Sequence, residues 1–109
     1  MKEFGPDDFL GLDVFVSLNA EFLQIEAARR AVGRPVQLVQ LDLSAGMATV
    51  PTAAFINIIE RNLDRLAGAG RPAQMEATKT WLGEDRDAAW LDYRDVNRWF
   101  ASLAVLRQM

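Results

Sequence analysis

The side chains with potential for chemistry in this 109-residue sequence are carboxylates and arginines, because the chain contains no cysteine and no histidine. Their absence excludes a disulfide, a zinc site with Cys or His ligands, and nucleophilic catalysis with a histidine base. The densest acidic cluster is Glu84-Asp85-Arg86-Asp87, and carboxylate oxygens are ligands for divalent cations. Its spacing is not that of a calcium-binding loop, so a solvated loop is favoured. The sequence therefore predicts no catalytic residue, no metal site, no cofactor and no enzymatic activity.

Aromatic residues form the second chemically distinctive group. Trp81, Trp90, Tyr93, Trp99 and Phe100 lie close together in the sequence. Trp99 and Phe100 fall on an apolar helical stripe and are predicted to be buried, whereas Trp81 and Trp90 flank the polar loop. Since Trp and Tyr are favoured anchors in protein interfaces, Trp81, Trp90 and Tyr93 are candidate interface residues. The alternative is that the two tryptophans cover a small core.

The elements that position the charged and aromatic side chains are three stretches in which apolar residues recur at helical spacing. The spacing predicts α-helices at about 13–32, 53–67 and 93–107. Asp13, Thr52 and Asp92 are suitable N-caps for the three helices, and Gly33 and Pro35 are expected to end the first helix. We therefore expect a mainly α fold in which residues 1–109 form a single small domain.

Residues 36–50 have a different pattern, with apolar residues that alternate imperfectly with polar ones. This pattern predicts a short strand or a hairpin. An isolated hairpin is only marginally stable in water, so it must pack on the helices or pair with another chain. Val36, Leu38, Val39 and Leu41 are therefore further candidate interface residues.

The three predicted helices align on Asn19, Asn57 and Asn97, which are 38 and 40 residues apart. An apolar residue precedes each asparagine, and further apolar residues follow six positions later. This alignment is typical of repeated helix-plus-connector units, although any three amphipathic helices can be aligned on their apolar stripes. A structural role is expected for the asparagines in preference to ligand contact, because an Asn in an early helical turn can bond the backbone or cap a neighbouring segment.

Residues 50–106 contain two copies of one pattern. The first copy, Thr52–Leu66, keeps Thr-Ala, Asn, Ile-Glu and Asn-Leu at fixed spacing, and the second, Asp92–Leu103, follows Lys79-Thr80-Trp81 and keeps Asn-Arg. With this pattern the chain resembles short tail- or baseplate-associated structural proteins of phages and prophages of Gram-positive bacteria, which repeat the phrase Thr-Ala-x-x-h-Asn-Arg-Ile-Glu-x-Asn-h-x-x-Leu, where h is apolar, with the second copy after Lys-x-Trp and a polar loop. The first copy here has Ile58 where Arg is usual, and the second replaces Ile-Glu by Trp99-Phe100.

The resemblance implies assembly rather than catalysis. It predicts a non-enzymatic structural or adaptor subunit of a phage or phage-derived particle, assembled in the bacterial cytoplasm, with other virion proteins and copies of itself as partners. The alternative is a small regulatory or inhibitory protein-binding module. The net charge of −3 and the lack of a basic segment argue against nucleic acid as a partner. The start of the chain is not that of a signal peptide, and no apolar run suits a membrane span.

Overall fold

The computed structural model describes residues 4–6, 11–43, 52–68, 70–83 and 91–108. Three helices are present in these ranges, α1 (Leu12–Ala31), α2 (Ala53–Ala67) and α3 (Tyr93–Arg107). The mainly helical fold and the three helix positions predicted from the apolar spacing are therefore confirmed. No helix in the described ranges has the length and apolar character needed to cross a membrane.

The helix ends follow from local chemistry. The Thr52 side chain accepts a hydrogen bond from the Phe55 amide (3.3 Å) at the start of α2, and Asp92 caps α3 by accepting from the Arg94 amide (2.6 Å). Gly33 follows α1 with a φ of 74°, a conformation that glycine adopts without a steric penalty. These contacts satisfy backbone groups that have no partner within the helix.

Buried apolar residues from all three helices form one core. Its largest fully buried side chains include Trp99 and Phe15 together with aliphatic residues: Leu18, Ile56, Ile59, Leu63, Leu66, Leu103 and Leu106. Trp99 is buried as predicted, but Phe100 is only half-buried. The reason is that Phe100 stacks on Phe4 near the surface, with ring centroids 6.2 Å apart.

The predicted strand or hairpin at 36–50 is not present in the described part of that segment, and residues 44–50 lie outside the described ranges. Residues 36–43 are extended but do not pair with another strand. Their backbone groups bond to helix side chains instead. The amides of Leu38 and Leu41 donate to α1, to Glu26 (3.0 Å) and Asn19 (3.3 Å) respectively.

The connectors run back along the helix that the chain has just left. Leu38 lies at Glu26 and Leu41 lies at Asn19, so residues 37–41, the first return segment, run antiparallel to α1. Residues 78–81, the second return segment, run antiparallel to α2, with Thr78 at Asp64 and Trp81 at Asn57.

The C-terminal ends of the three helices meet at Arg29, which is 7% exposed. Arg29 donates to the Leu66 carbonyl of α2 and to the Leu106 carbonyl of α3, the latter at 3.1 Å. Leu66 and Leu106 occupy equivalent positions, nine residues after Asn57 and Asn97. A cation is favourable at this place because helix C-termini carry partial negative charge.

Candidate functional site

The aligned asparagines make equivalent contacts with the backbone of extended segments. Asn57 accepts from the Trp81 amide through Oδ1 (2.8 Å) and donates through Nδ2 to the Trp81 carbonyl (2.9 Å). Asn97 makes the same pair of bonds to Phe4, both at 2.8 Å. Together with the Asn19 bond to Leu41, one residue of an extended segment is bound at each of the three aligned positions. The expectation that these asparagines bond to backbone is confirmed.

Acidic side chains extend two of these contacts along the helix. Glu26 and Asp64 lie seven residues after the first two aligned asparagines. Glu26 accepts from the Leu38 amide, and Asp64 accepts from the Thr78 hydroxyl at 2.6 Å. Leu38 and Thr78 are in turn three residues before the segment residue that the asparagine binds. The first two helices therefore hold their return segments at matching positions.

One backbone contact has no counterpart in the alignment. Asn62 of α2 accepts from the Val39 amide (3.0 Å) and donates to the Val39 carbonyl (2.7 Å). The first return segment is consequently bound from both sides, by α1 and by α2. This role was not predicted because Asn62 lies outside the aligned positions, although the resembling phrase contains an Asn at that place.

Replacing Asn57 by Ala is expected to lower the free energy of unfolding by about 1–3 kcal/mol, because two backbone groups of Trp81 lose their partner. Urea denaturation followed by tryptophan fluorescence measures the change. The matched control is Gln74→Ala, at an exposed position where a change within about 0.5 kcal/mol is expected. Equal small losses in the two variants would show that the asparagine contacts do not hold the return segment.

A buried ion-pair network lies next to the Asn57 contact. Glu60 has no exposed surface and accepts from both terminal nitrogens of Arg98, at 2.8 and 2.5 Å. It also accepts from the indole N–H groups of Trp99 (3.1 Å) and Trp81 (3.2 Å) and from the Lys79 amide (3.3 Å). A charge-assisted, bidentate pair of this kind is among the stronger polar interactions in proteins.

Opposing effects set the pKa of the Glu60 carboxyl. Burial raises this pKa, but the hydrogen bonds and positive charge of Arg98, with the bonds from Trp99 and Trp81, lower it more, so the net pKa is below the ordinary value. Burial also lowers the pKa of Arg98, whereas Glu60 and then Asp95 raise it, and the net pKa is raised. Both groups are therefore charged at neutral pH.

The lowered pKa of Glu60 predicts that acid destabilises the fold. In the unfolded chain a glutamate takes up a proton near pH 4.3, whereas the folded carboxyl resists protonation to lower pH. The stabilisation is therefore present above the unfolded pKa and is lost as pH falls through the folded pKa. Denaturation between pH 7 and pH 3 is expected to show a smaller decline for Glu60→Gln than for the unmodified chain. Parallel declines would contradict this assignment.

The network joins the two copies of the resembling phrase. The first copy keeps the Glu (Glu60) but has Ile58 in place of Arg, and the second copy keeps the Arg (Arg98) but has Phe100 in place of Glu. The two departures from the phrase are thus complementary, because the retained Glu pairs with the retained Arg. Neither copy predicts this pairing by itself.

The four candidate interface residues at positions 36–41, on or just before the first return segment, differ in exposure. Val36 and Leu38 are half-buried, Leu41 is buried, and Val39 is 42% exposed. All but Val39 belong to the core or pack against it. Within this set Val39 presents the most surface to a neighbouring molecule.

Two of the three aromatic candidates, Trp81 and Tyr93, lie in the described residues. Trp81 is half-buried against the core, and its indole bond to Glu60 favours the interpretation that it covers the core. Tyr93 is half-buried at the start of α3, with the Arg94 guanidinium 5.6 Å from its ring centroid. Trp90 lies outside the described residues, as does the acidic cluster Glu84-Asp85-Arg86-Asp87. In the parts of the chain that the structure describes, no group of three or more potential metal ligands is present.

No protein-family model, curated protein or solved structure matches this chain at a significant level. The geometry of the described residues is therefore the basis for the functional argument. It combines extended segments bound by helix side chains with a buried network that links α2 to α3.

Proposed function

We propose that this protein is a non-enzymatic structural or adaptor subunit of a phage or phage-derived particle, located in a tail, baseplate or fibre-associated part. It acts through protein–protein assembly. The observation that carries the proposal is that the residues this chain shares with the resembling phrase have structural partners within the fold. Such use of the shared residues is expected of a phrase that specifies structure.

The polar residues of the first copy each have a structural partner. Thr52 caps α2, Asn57 binds Trp81, Glu60 pairs with Arg98, and Asn62 binds the first return segment. An amphipathic helix that matched the phrase by chance would place such residues in solvent. Their joint engagement supports the resemblance as a likeness of architecture.

The second copy and the Lys-x-Trp element take part in the same contacts. Asn97 binds Phe4, and Arg98 reaches back to Glu60. Trp81 contributes both its backbone, to Asn57, and its indole N–H, to Glu60. The Lys-x-Trp element, which lies between the two helical copies in the sequence, thus contacts the first copy next to the ion pair that joins the two copies. This correspondence supports a common role with the phage structural proteins that carry the phrase.

Quantitative mass spectrometry of gradient-purified particles from the producing strain tests the proposal. A fixed number of copies per particle, unchanged through a second gradient, is the expected result. The control is a set of abundant cytosolic proteins, which must fall with each purification step. The retained copy number would also indicate the symmetry of the ring or spike that contains the protein.

Absence from the particles, while the protein remains abundant in the lysate, would overturn the proposal. That result would favour the regulatory or inhibitory binding module. Affinity capture of a single stoichiometric partner outside any particle would then identify the target. The two outcomes are distinct because particle components sediment together whereas a small complex does not.

A further inference from the structure

Apolar residues lie on both faces of α1. One face packs on the core, and on the opposite face Val16 and Leu23 are 47% and 45% exposed. Ala20 and Ala27 on this outer face are exposed as well. A helix that is apolar all round is normally buried on all sides, so the outer face of α1 is suited to contact with another chain.

Four residues of the outer face form one straight stripe, the outer stripe: Val16, Ala20, Leu23 and Ala27. They follow one another at intervals of four, three and four residues, the spacing at which two helices pack along a common seam. Asp13 comes three residues before the stripe and Arg30 comes three residues after it, and both are exposed. The outer stripe is therefore apolar along its length, with an acidic residue before its start and a basic residue after its end.

Two carboxylates of α1 lie beside the outer stripe, and both make contacts within the chain. Glu21 forms an ion pair with Arg107 of α3, and Glu26 accepts from the Leu38 amide. A second helix can therefore approach the outer stripe without separating either carboxylate from its partner.

The first return segment extends the apolar surface sideways at Leu23. Val39 of this segment is exposed, and together with Leu23 it lines a small gap of about 80 Å³ between the segment and α1. The apolar surface thus continues beyond the helix, which increases the area that a second chain can bury.

The outer stripe is complementary to itself when a second α1 lies against it in the antiparallel direction. With the two helices centred between positions 21 and 22, Val16 of each copy faces Ala27 of the other, and Leu23 faces Ala20. Each larger side chain then meets a small one, so the two surfaces interdigitate. A parallel pair would instead place Leu23 against Leu23 and alanine against alanine.

The charges at the two ends of α1 are complementary in the same arrangement. Asp13 of one copy faces Arg30 of the other at both ends of the pair. The Arg30 side chain is 68% exposed and lies 3.7 Å from Glu26, a surface contact that contributes little to stability. Its guanidinium is therefore available to a second carboxylate.

We propose that two copies of this chain pair through the outer stripes of α1, antiparallel and related by a two-fold axis. A second copy is the occupant because a two-fold contact requires each residue to find its complement on the same surface, and the outer stripe supplies both members of every match. The 20 residues of α1 make a helix about 30 Å long. One such face is smaller than a standard interface of about 800 Å² a side, so we expect a dissociation constant of about 1–100 μM.

Sedimentation equilibrium of the purified full chain, from micromolar to millimolar concentration, measures the association. The unmodified chain is expected to show a monomer–dimer equilibrium. Leu23→Glu places two like charges near the centre of the contact and is expected to weaken dimerisation at least about tenfold. The matched control is Leu82→Glu, at an exposed leucine outside α1, which is expected to dimerise normally. The amide spectrum of each variant establishes that it is folded.

Reversal of the end charges tests the antiparallel arrangement. Asp13→Lys and Arg30→Glu each place like charges together at two identical contacts, and each is expected to weaken dimerisation at least about threefold at low ionic strength. The double variant restores opposite charges at both contacts and is expected to dimerise like the unmodified chain. Weakening that adds up in the double variant would contradict the arrangement.

Cysteine cross-linking provides an independent test of direction, because the chain has no cysteine of its own. Val16→Cys and Ala27→Cys variants are mixed and oxidised with copper phenanthroline. The two variants are expected to form a disulfide with each other, since an antiparallel pair brings these positions together. Links between identical positions only would show a parallel pair and overturn the inference.

A chain that remains monomeric at millimolar concentration would overturn the inference, and a different protein would then be the partner of this face. A dimer that Leu23→Glu leaves unchanged would also overturn it, because the contact would lie elsewhere. Copies of the chain are among the partners that the proposed function expects, but the two proposals can fail separately. A dimer with these properties in a protein absent from particles would refute the proposed function alone.

Discussion

Replacing Glu60 by Gln is expected to lower the free energy of unfolding by about 3–5 kcal/mol, the range for breaking a buried ion pair from one side. The substitution preserves size but removes the charge that faces Arg98. Arg98 is 7% exposed, so water cannot replace the lost carboxylate. Its remaining acidic partner is Asp95, at the longer distance of 3.3 Å.

Chemical denaturation at pH 7 measures this loss, with Glu76→Gln as the matched control. Glu76 is exposed, and its replacement is expected to change the stability by no more than about 0.5 kcal/mol. The double variant Glu60→Gln/Arg98→Met tests the cause. It should recover much of the loss, because it removes the uncompensated guanidinium, while the glutamine carbonyl can still accept from the two indole N–H groups and Asp95 keeps its ion pair with Lys79. A double variant as unstable as Glu60→Gln would point to packing instead of charge.

The helices could be predicted from sequence because each has an apolar stripe, and α2 and α3 also have a side-chain cap. The Asp13 cap predicted for α1 is not formed, because α1 begins at Leu12 after Gly11, where no side-chain cap hydrogen bond is made. Thr52 and Asp92 are adjacent to the backbone groups that they satisfy, so the signal lies within a few residues. The return segments could not be predicted in the same way. Residues 36–43 have a strand-like pattern, but their backbone partners are side chains on helices and not another strand. Alternation indicates an extended chain, and it does not identify what the chain bonds to.

The candidate site was only partly predictable for a related reason. The three aligned asparagines repeat at nearly equal spacing, and this repetition made them recognisable in the sequence. The Glu60–Arg98 pair joins positions 38 residues apart on different helices, and neither residue is unusual within its own helix. The sequence did contain a signal for this pairing. When the two copies are aligned, Ile58 takes the position of Arg98 and Phe100 takes the position of Glu60, so each copy lacks the charged residue that the other keeps.

Replacing Leu63 or Leu103 by Ala is expected to destabilise the protein by about 2–5 kcal/mol, the cost of removing a buried leucine side chain and leaving a cavity. Leu63 is 0% and Leu103 is 1% exposed. Each lies six residues after an aligned asparagine, as does Ile25, which is 3% exposed. The three helices therefore direct equivalent positions into one core, and no single helix can shift to close a cavity without disturbing the other two.

Urea denaturation of each variant provides the measurement, and Leu82→Ala is the matched control for the same chemical change. Leu82 is 87% exposed and follows Trp81 directly, so its truncation removes a leucine side chain without opening a cavity. A loss under about 0.5 kcal/mol, the surface range, in either core variant would place that position outside the core. Large losses in both, with little change in the control, would show that the shared core holds the helices that bind the return segments.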